Sequence, residues 1–318
     1  MRSASRLYRL GILLSGIGVG VVALATVAAL QGLRLEPGSL RALIAACSSV
    51  LPSLGPAGYV ELALTLLASA SVGLAVRSLV RQLRATRRYL RDLRPTTEIV
   101  RVAGVPCWVT AERAPRALCA GYLLPRVYVS RGALEALTPG ELRAVVAHEL
   151  HHRRRRDPLR LLVARVLGDA LFFLPALRRI GERYAALVEL AADEAAVRAL
   201  GERRTLAGAL LKFGDLDAGT VAVAGIAPER VDHLSGDRGA ARWRLSPTEL
   251  VVSVLAGGGL LAAAAVLLAL PGAASVDVTR VLAQSCMLLI AAGGLAIAIA
   301  GGRLRRAGAD CRGALSAE

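Results

Sequence analysis

The chain has 318 residues, 55% of them hydrophobic and only 3% aromatic, with a formal net charge of +16. A mean hydropathy of +0.53 lies above that of an ordinary soluble domain and indicates a membrane protein. So few aromatic residues argue against base stacking, and the basic excess is read below as topology rather than as a nucleic-acid surface.

In chain order, the first element is the uncharged apolar run Leu10 to Leu30, followed by Tyr59 to Val76 with only Glu61 near its start. Each approaches the roughly 20 residues that cross a bilayer core. The first run exceeds the ~7–15 apolar residues of a signal peptide and is read as a retained helix. Between them, Ala42 to Leu54 is mildly apolar, short, and holds Pro52. It suits an external loop that lies on the membrane surface or dips into it. From Arg77 to Arg94 the second span continues as a basic helical extension, so residues 1–94 form a transmembrane hairpin with a cytoplasmic arm.

Residues 95–245 read as a soluble α+β domain. Strand-like pieces at Ile99 to Val102, Cys107 to Thr110 and Val127 to Ser130 precede a helix start at Thr138-Pro139-Gly140-Glu141. There Thr138 caps, Pro139 suits the first turn, and Glu141 sits three residues after the cap. That helix runs to about Arg156, and Asp157-Pro158 opens the next, Leu159 to Leu174. Arg160, Arg165 and Asp169 make this third apolar stretch a poor lipid-facing span, so it is taken as a buried or membrane-apposed helix. Residues 246–318 hold two further apolar runs, Val251 to Leu270 and Val281 to Ala300, and a basic tail. The expected fold is mainly α, with about four transmembrane helices and an inserted cytoplasmic α+β domain.

Arginine sets the orientation. Arg2, Arg6 and Arg9 precede the first span, seven arginines from Arg77 to Arg94 follow the second, and Arg303, Arg305, Arg306 and Arg312 follow the last. The loops at 31–58 and 271–280 carry only Arg34, Arg41 and Arg280. By the positive-inside rule both termini and the middle domain face the cytoplasm. Basic residues beside spans also attract anionic headgroups of the lipid bilayer. The short run Arg153–Arg156 fits a solvated face or a lipid contact better than a DNA patch. Cys47, Cys107, Cys119, Cys286 and Cys311 show no C-x-x-C spacing. Cys107 and Cys119 fall in the middle segment placed in the cytoplasm, where thiols stay reduced, and read as small buried hydrophobes.

Three of the four histidines lie in His148-Glu149-Leu150-His151-His152, an H-E-x-x-H pattern. His148 and His152 share one helix face and can bind one zinc ion, with Glu149 beside them as a base for water. Zinc needs a third protein ligand, and Glu189 is the candidate. The interval 189 − 152 = 37 residues allows one helix out, a turn near Pro175, and one helix back. Asp193, four residues on, can hold the second nitrogen of a ligating histidine. His151 can compete as a ligand but reads as a residue behind the ligands. Arg230, His233 and Tyr184 are candidates for oxyanion or substrate contacts, each also open to a purely structural reading. A peptide substrate can add as a strand along Cys107–Thr110 or Val127–Ser130 if either is an exposed edge.

The runs Gly121 to Ser130, Leu137 to His152, Arg156-Asp157-Pro158 and Glu189 to Glu194 together resemble the BlaR/MecR-type antirepressor membrane metallopeptidases. H-E-x-x-H with E-x-x-x-D is shared with the heat-shock membrane proteases and CAAX prenyl proteases, all membrane-anchored gluzincins. The resemblance covers about residues 95–235. It implies zinc ligands at His148, His152 and Glu189, a catalytic Glu149 and a supporting Asp193. It further implies a zinc endopeptidase of the bacterial cytoplasmic membrane acting on a protein or peptide, such as a cytoplasmic regulator. Quality-control proteolysis and a non-catalytic signal transducer with a structural metal are the competing readings. The beta-lactam sensors carry a penicillin-binding domain after their last span; here only residues 301–318 follow the last apolar run, so direct antibiotic sensing is not expected.

Overall fold

The computed structural model describes residues 2–31, 33–34, 56–93, 95–214, 246–269 and 276–277. Its contacts divide the chain into two units, residues 1–22 with 68–259, and residues 23–67 with 260–318. Three helices are long and apolar enough to cross a membrane: α1 (Arg2–Gln31), α2 (Pro56–Asp92) and, late in the chain, α8 (Pro247–Ala269). They correspond to the first three apolar runs. The fourth expected span, Val281 to Ala300, lies outside the described residues, as does Ala42 to Leu54. In the second unit, strands β1 (Leu33–Arg34) and β6 (Val276–Asp277) pair in parallel, and Leu64 packs on Ala264.

The first unit holds the α+β part. Its sheet comprises β2 (Pro95–Val102), β3 (Val105–Thr110), β4 (Ala117–Ala120) and β5 (Arg126–Ser130), in the order β2-β3-β5-β4. β2 and β3 form an antiparallel hairpin closed by Ala103-Gly104, both with positive φ. That is the backbone a two-residue type I′ turn demands. β3 pairs with β5 in parallel, and β4 lies antiparallel on the outer side of β5. β3 and β5 are therefore both interior strands, with neighbours on each side. This corrects the expectation that either could recruit a substrate strand, because their backbone groups are already paired. The available edges are β2 and β4.

Alternation decides which face is buried. Cys107, Val127 and Val129 are wholly buried against Val145 and Val146 of the histidine helix, whereas Trp108 and Tyr128 meet on the other face with Arg126 over the indole. From the sheet to residue 214 run the helices α3 (Arg131–Ala136), α4 (Pro139–Arg155), α5 (Asp157–Ala170), α6 (Pro175–Leu200) and α7 (Arg203–Gly214). α4 starts as its sequence dictates, with Thr138 and Glu141 forming a reciprocal capping box and Lys212 of α7 bonding Glu141 at 2.7 Å. α5 stops at Ala170, short of the expected Leu174. Its Asp169 accepts from Ser78 at 2.5 Å and from Arg81 at 3.0 Å, both on α2, which explains an acid in an otherwise apolar stretch.

One glycine fixes how the sheet hands over to the helices. Ser130 ends β5, caps α3 by accepting from Ala133, and donates to the carbonyl of Ala114 at 2.8 Å. This draws the 111–116 loop so close that a Cβ on Gly132 would sit 1.8 Å from the carbonyl oxygen of Arg113. The expected outcome is that Gly132→Ala destabilises the protein by more than about 3 kcal/mol in denaturation measurements. Gly140→Ala, where the nearest atom is 3.5 Å away, should stay within about 0.5 kcal/mol of the parent. Equal stability of the two variants would contradict this packing.

Candidate metal centre

α4 and α6 approach closely because their facing residues are small. Ala144 and Ala196 are wholly buried together with Leu206, and Ala147 packs beside them. This places the i, i+4 pair His148 and His152 opposite the i, i+4 pair Glu189 and Asp193. The two histidine Nε2 atoms lie 3.1 Å apart. His148 Nε2 is 3.6 Å from one Glu189 oxygen and His152 Nε2 is 3.7 Å from the other. One atom from each of these three residues thus converges on a common point, as the sequence anticipates. A tetrahedral ion with bonds of about 2.0–2.1 Å holds its donor atoms about 3.3–3.4 Å apart, so the spacings fit a single divalent metal with one position left open.

What lies behind the ligands supports that fit. His148 Nδ1 is 2.9 Å from Asp193, and His152 Nδ1 is 3.1 Å from Asp157. Both carboxylates are buried, and each turns the opposite ring nitrogen toward the common point. Burial alone would lower the pKa of His148, but its contacts with Asp193 and Glu189 raise it to about 10. The pocket therefore favours positive charge, which a bound cation supplies. Asp193 was legible from its spacing. Asp157 was not: its sequence context, before Pro158, marks it only as a helix start. The structure shows why it matters. Arg156 adopts a left-handed conformation (φ 53°, ψ 41°) shared by the end of α4 and the start of α5. That reversal swings Asp157 back under the ring five residues before it. Arg155 steadies it from 3.7 Å.

Glu149 is buried beside the ligands, and its charge is felt both by the His148 ring and by the Cys119 thiol on edge strand β4. Burial, with Glu149 adding to it, pushes that thiol up to about 12, and burial raises Cys107 to about 11. Neither cysteine joins the convergent group, which among the described residues is His148, His152 and Glu189. His151 is buried with its pKa lowered to about 4 by desolvation, and it does not join the convergent group. Tyr184 packs on Tyr8 of α1 with ring centroids 5.0 Å apart, in a cluster with Ala4 and Val188. The structure thus gives it an α1-facing position, and burial pushes its phenol up to about 12. Arg230 and His233 lie outside the described residues.

The sequence matches the family described as BlaR1 peptidase M56 over residues 59–229, more than half of the chain. The chain belongs to that family. No solved structure matches it. Membership makes this M56 protein a membrane-associated metallopeptidase, in agreement with its apolar helices and its His/His/Glu cluster.

In this M56 centre, losing either supporting carboxylate should weaken metal binding by about 10–100-fold, as removal of such partners does elsewhere. Asp157→Asn should match Asp193→Asn when metal content is titrated against a competing chelator. An Asp157→Asn protein with parental affinity would remove Asp157 from the site.

Proposed function

We propose that this protein is an integral-membrane zinc endopeptidase that hydrolyses a protein substrate on the cytoplasmic side of the bacterial membrane. The observation that carries the reading is the convergence of His148, His152 and Glu189, each histidine backed by a buried aspartate, with Glu149 alongside. Two imidazoles and a carboxylate are a donor set that zinc uses in hydrolytic sites with an open fourth position. When bound, zinc acidifies water and polarises a carbonyl as a Lewis acid.

The chain's own groups do the rest. Glu149 accepts the proton of the attacking water and returns it to the leaving amine. The buried setting around Glu149 also strengthens the interactions it makes with the reacting atoms. Asp193 and Asp157 hold the two rings so that neither rotates as charge develops. Edge strand β4, which carries Cys119 near Glu149, supplies unpaired backbone groups on which an extended peptide can add as a further strand. Strand addition reads backbone more than side chains, and so it suits a polypeptide substrate held in an extended segment. The family link supports a transcriptional regulator as that polypeptide.

The arginine distribution supports a cytoplasmic site, with residues 1–94 as a transmembrane hairpin and its arm, residues 95–245 as the peptidase domain and residues 246–318 as a second transmembrane hairpin. Reporter fusions at residues 45, 200 and 310 should read outside, inside and inside; an outside signal at 200 would overturn the orientation.

The chemistry is tested by Glu149→Gln. It should keep about one zinc per chain yet lose proteolysis of a model protein by on the order of 10²–10⁴-fold. Retained cleavage would rule out the role of Glu149, and a folded parent protein that takes up no zinc would sink the metal assignment.

A further inference from the structure

A cleft lies away from the His148, His152 and Glu189 cluster, where α2 passes the junction of α5 and α6. It is a cleft of about 440 Å³ whose lining includes Arg77, Ser78 and Arg81 of α2, Asp169 of α5, Phe172, and Arg178 of α6. A volume in this range is typical of small-molecule sites. Three arginines face one carboxylate there, and that carboxylate is already engaged. Asp169 accepts from Ser78, which is buried, and pairs with Arg81. Arg178 shares an exposed contact with Glu182 at 3.2 Å, and among the described residues Arg77 has no ion pair. The lining therefore carries a net positive charge that the protein itself leaves uncompensated.

The rest of the cleft says what kind of anion fits. Its other walls are apolar, formed by Leu74, Phe172 and Leu174. Along α2, residues 62–76 carry no charge and Arg77 is the first basic residue to follow, so the cleft sits where the apolar span gives way to arginine. Val72 and Val76 on that run and Phe172 beside the cleft are all exposed. A free anion would gain nothing from apolar walls at this depth, whereas a lipid presents a phosphate and hydrocarbon together.

We propose that this cleft binds one anionic phospholipid, its phosphodiester held by Arg77 and Arg178 with Arg81 behind them and the first carbons of its chains against Phe172 and Leu74. Guanidinium groups suit the role because they bond phosphate oxygens through two donors at once. The proposal goes beyond the peptidase reading and does not depend on it, since occupancy is read without activity.

Full-length protein in neutral detergent is titrated with dioleoyl phosphatidylglycerol, dioleoyl phosphatidylcholine or inorganic phosphate. Bound lipid is counted by native mass spectrometry, and thermal stability is followed in parallel. One phosphatidylglycerol should bind saturably and raise Tm, and phosphatidylcholine should do neither. Arg77→Gln with Arg178→Gln should weaken that binding by about ten- to thirty-fold, given the usual worth of a basic residue at a lipid surface. Arg87→Gln with Arg88→Gln removes the same charge from α2 outside the cleft and should leave binding unchanged. If the first pair lowers Tm without lipid, Arg77→Gln alone is read, with about a fivefold loss expected. Equal losses from both pairs would show diffuse attraction and overturn the site. So would an absence of saturable binding. An equal shift with inorganic phosphate alone would overturn the lipid assignment.

Discussion

Two buried carboxylate–imidazole pairs, Asp193 with His148 and Asp157 with His152, fix the geometry on which everything else depends. Taking a carboxylate out of water costs several kcal/mol unless partners compensate, so neither aspartate would persist where it is without its ring. Each pair constrains a different contact between elements. The Asp193 pair sets the rotation of α6 against α4, which in turn brings Glu189 level with both Nε2 atoms. The Asp157 pair sets the reversal between α4 and α5, and it is the reason a non-glycine residue, Arg156, tolerates a left-handed backbone there. The two histidines of the convergent group are thus positioned from behind, by two buried aspartates.

That arrangement explains which parts of the site could be read from sequence. Pairs at i, i+4 on one helix declare a shared face, so His148 with His152 and Glu189 with Asp193 were both legible, and an interval of 37 residues (189 − 152) suited a return helix. Asp157 was hidden because its role depends on a single backbone reversal, and no periodicity reports a left-handed residue at an arginine. The sheet behaved in the same way. Cys107–Thr110 and Val127–Ser130 have the β-branched, alternating character of strands and are strands. Ala117–Ala120 lacks both features and was not anticipated, yet it forms the edge beside Glu149. Strand order is a long-range property, so β3 and β5 could be recognised as strands without revealing that both are interior.

The long apolar helices were legible for a simpler reason: apolar length is a local property, and α1, α2 and α8 fall on the runs that show it. What hydropathy could not show is how tightly the peptidase part is braced by α1. Ser5 accepts from Arg155 at 3.0 Å, Arg155 approaches Asp157, and Asp157 holds His152. Tyr8 of the same helix packs on Tyr184 of α6, one and a half turns before Glu189, while Arg160 of α5 lies over the Tyr8 ring. The N-terminal part of this helix is therefore in contact, through Ser5 and Tyr8, with the helices that carry His152 and Glu189.

This bracing bears on how stiff the centre is. A ligating ring held only by its own helix could rotate about its side-chain torsions, and a catalytic site tolerates little of that motion. Here His152 is fixed through Asp157 to a side chain that is itself tied to α1, and His148 is fixed through Asp193 to α6, whose apolar face rests on α1 as well. Both routes end on the same apolar helix, α1. The orientation of the two histidines is consequently a property of the packed set α1, α4, α5 and α6 together, and not of the five-residue motif in which they occur.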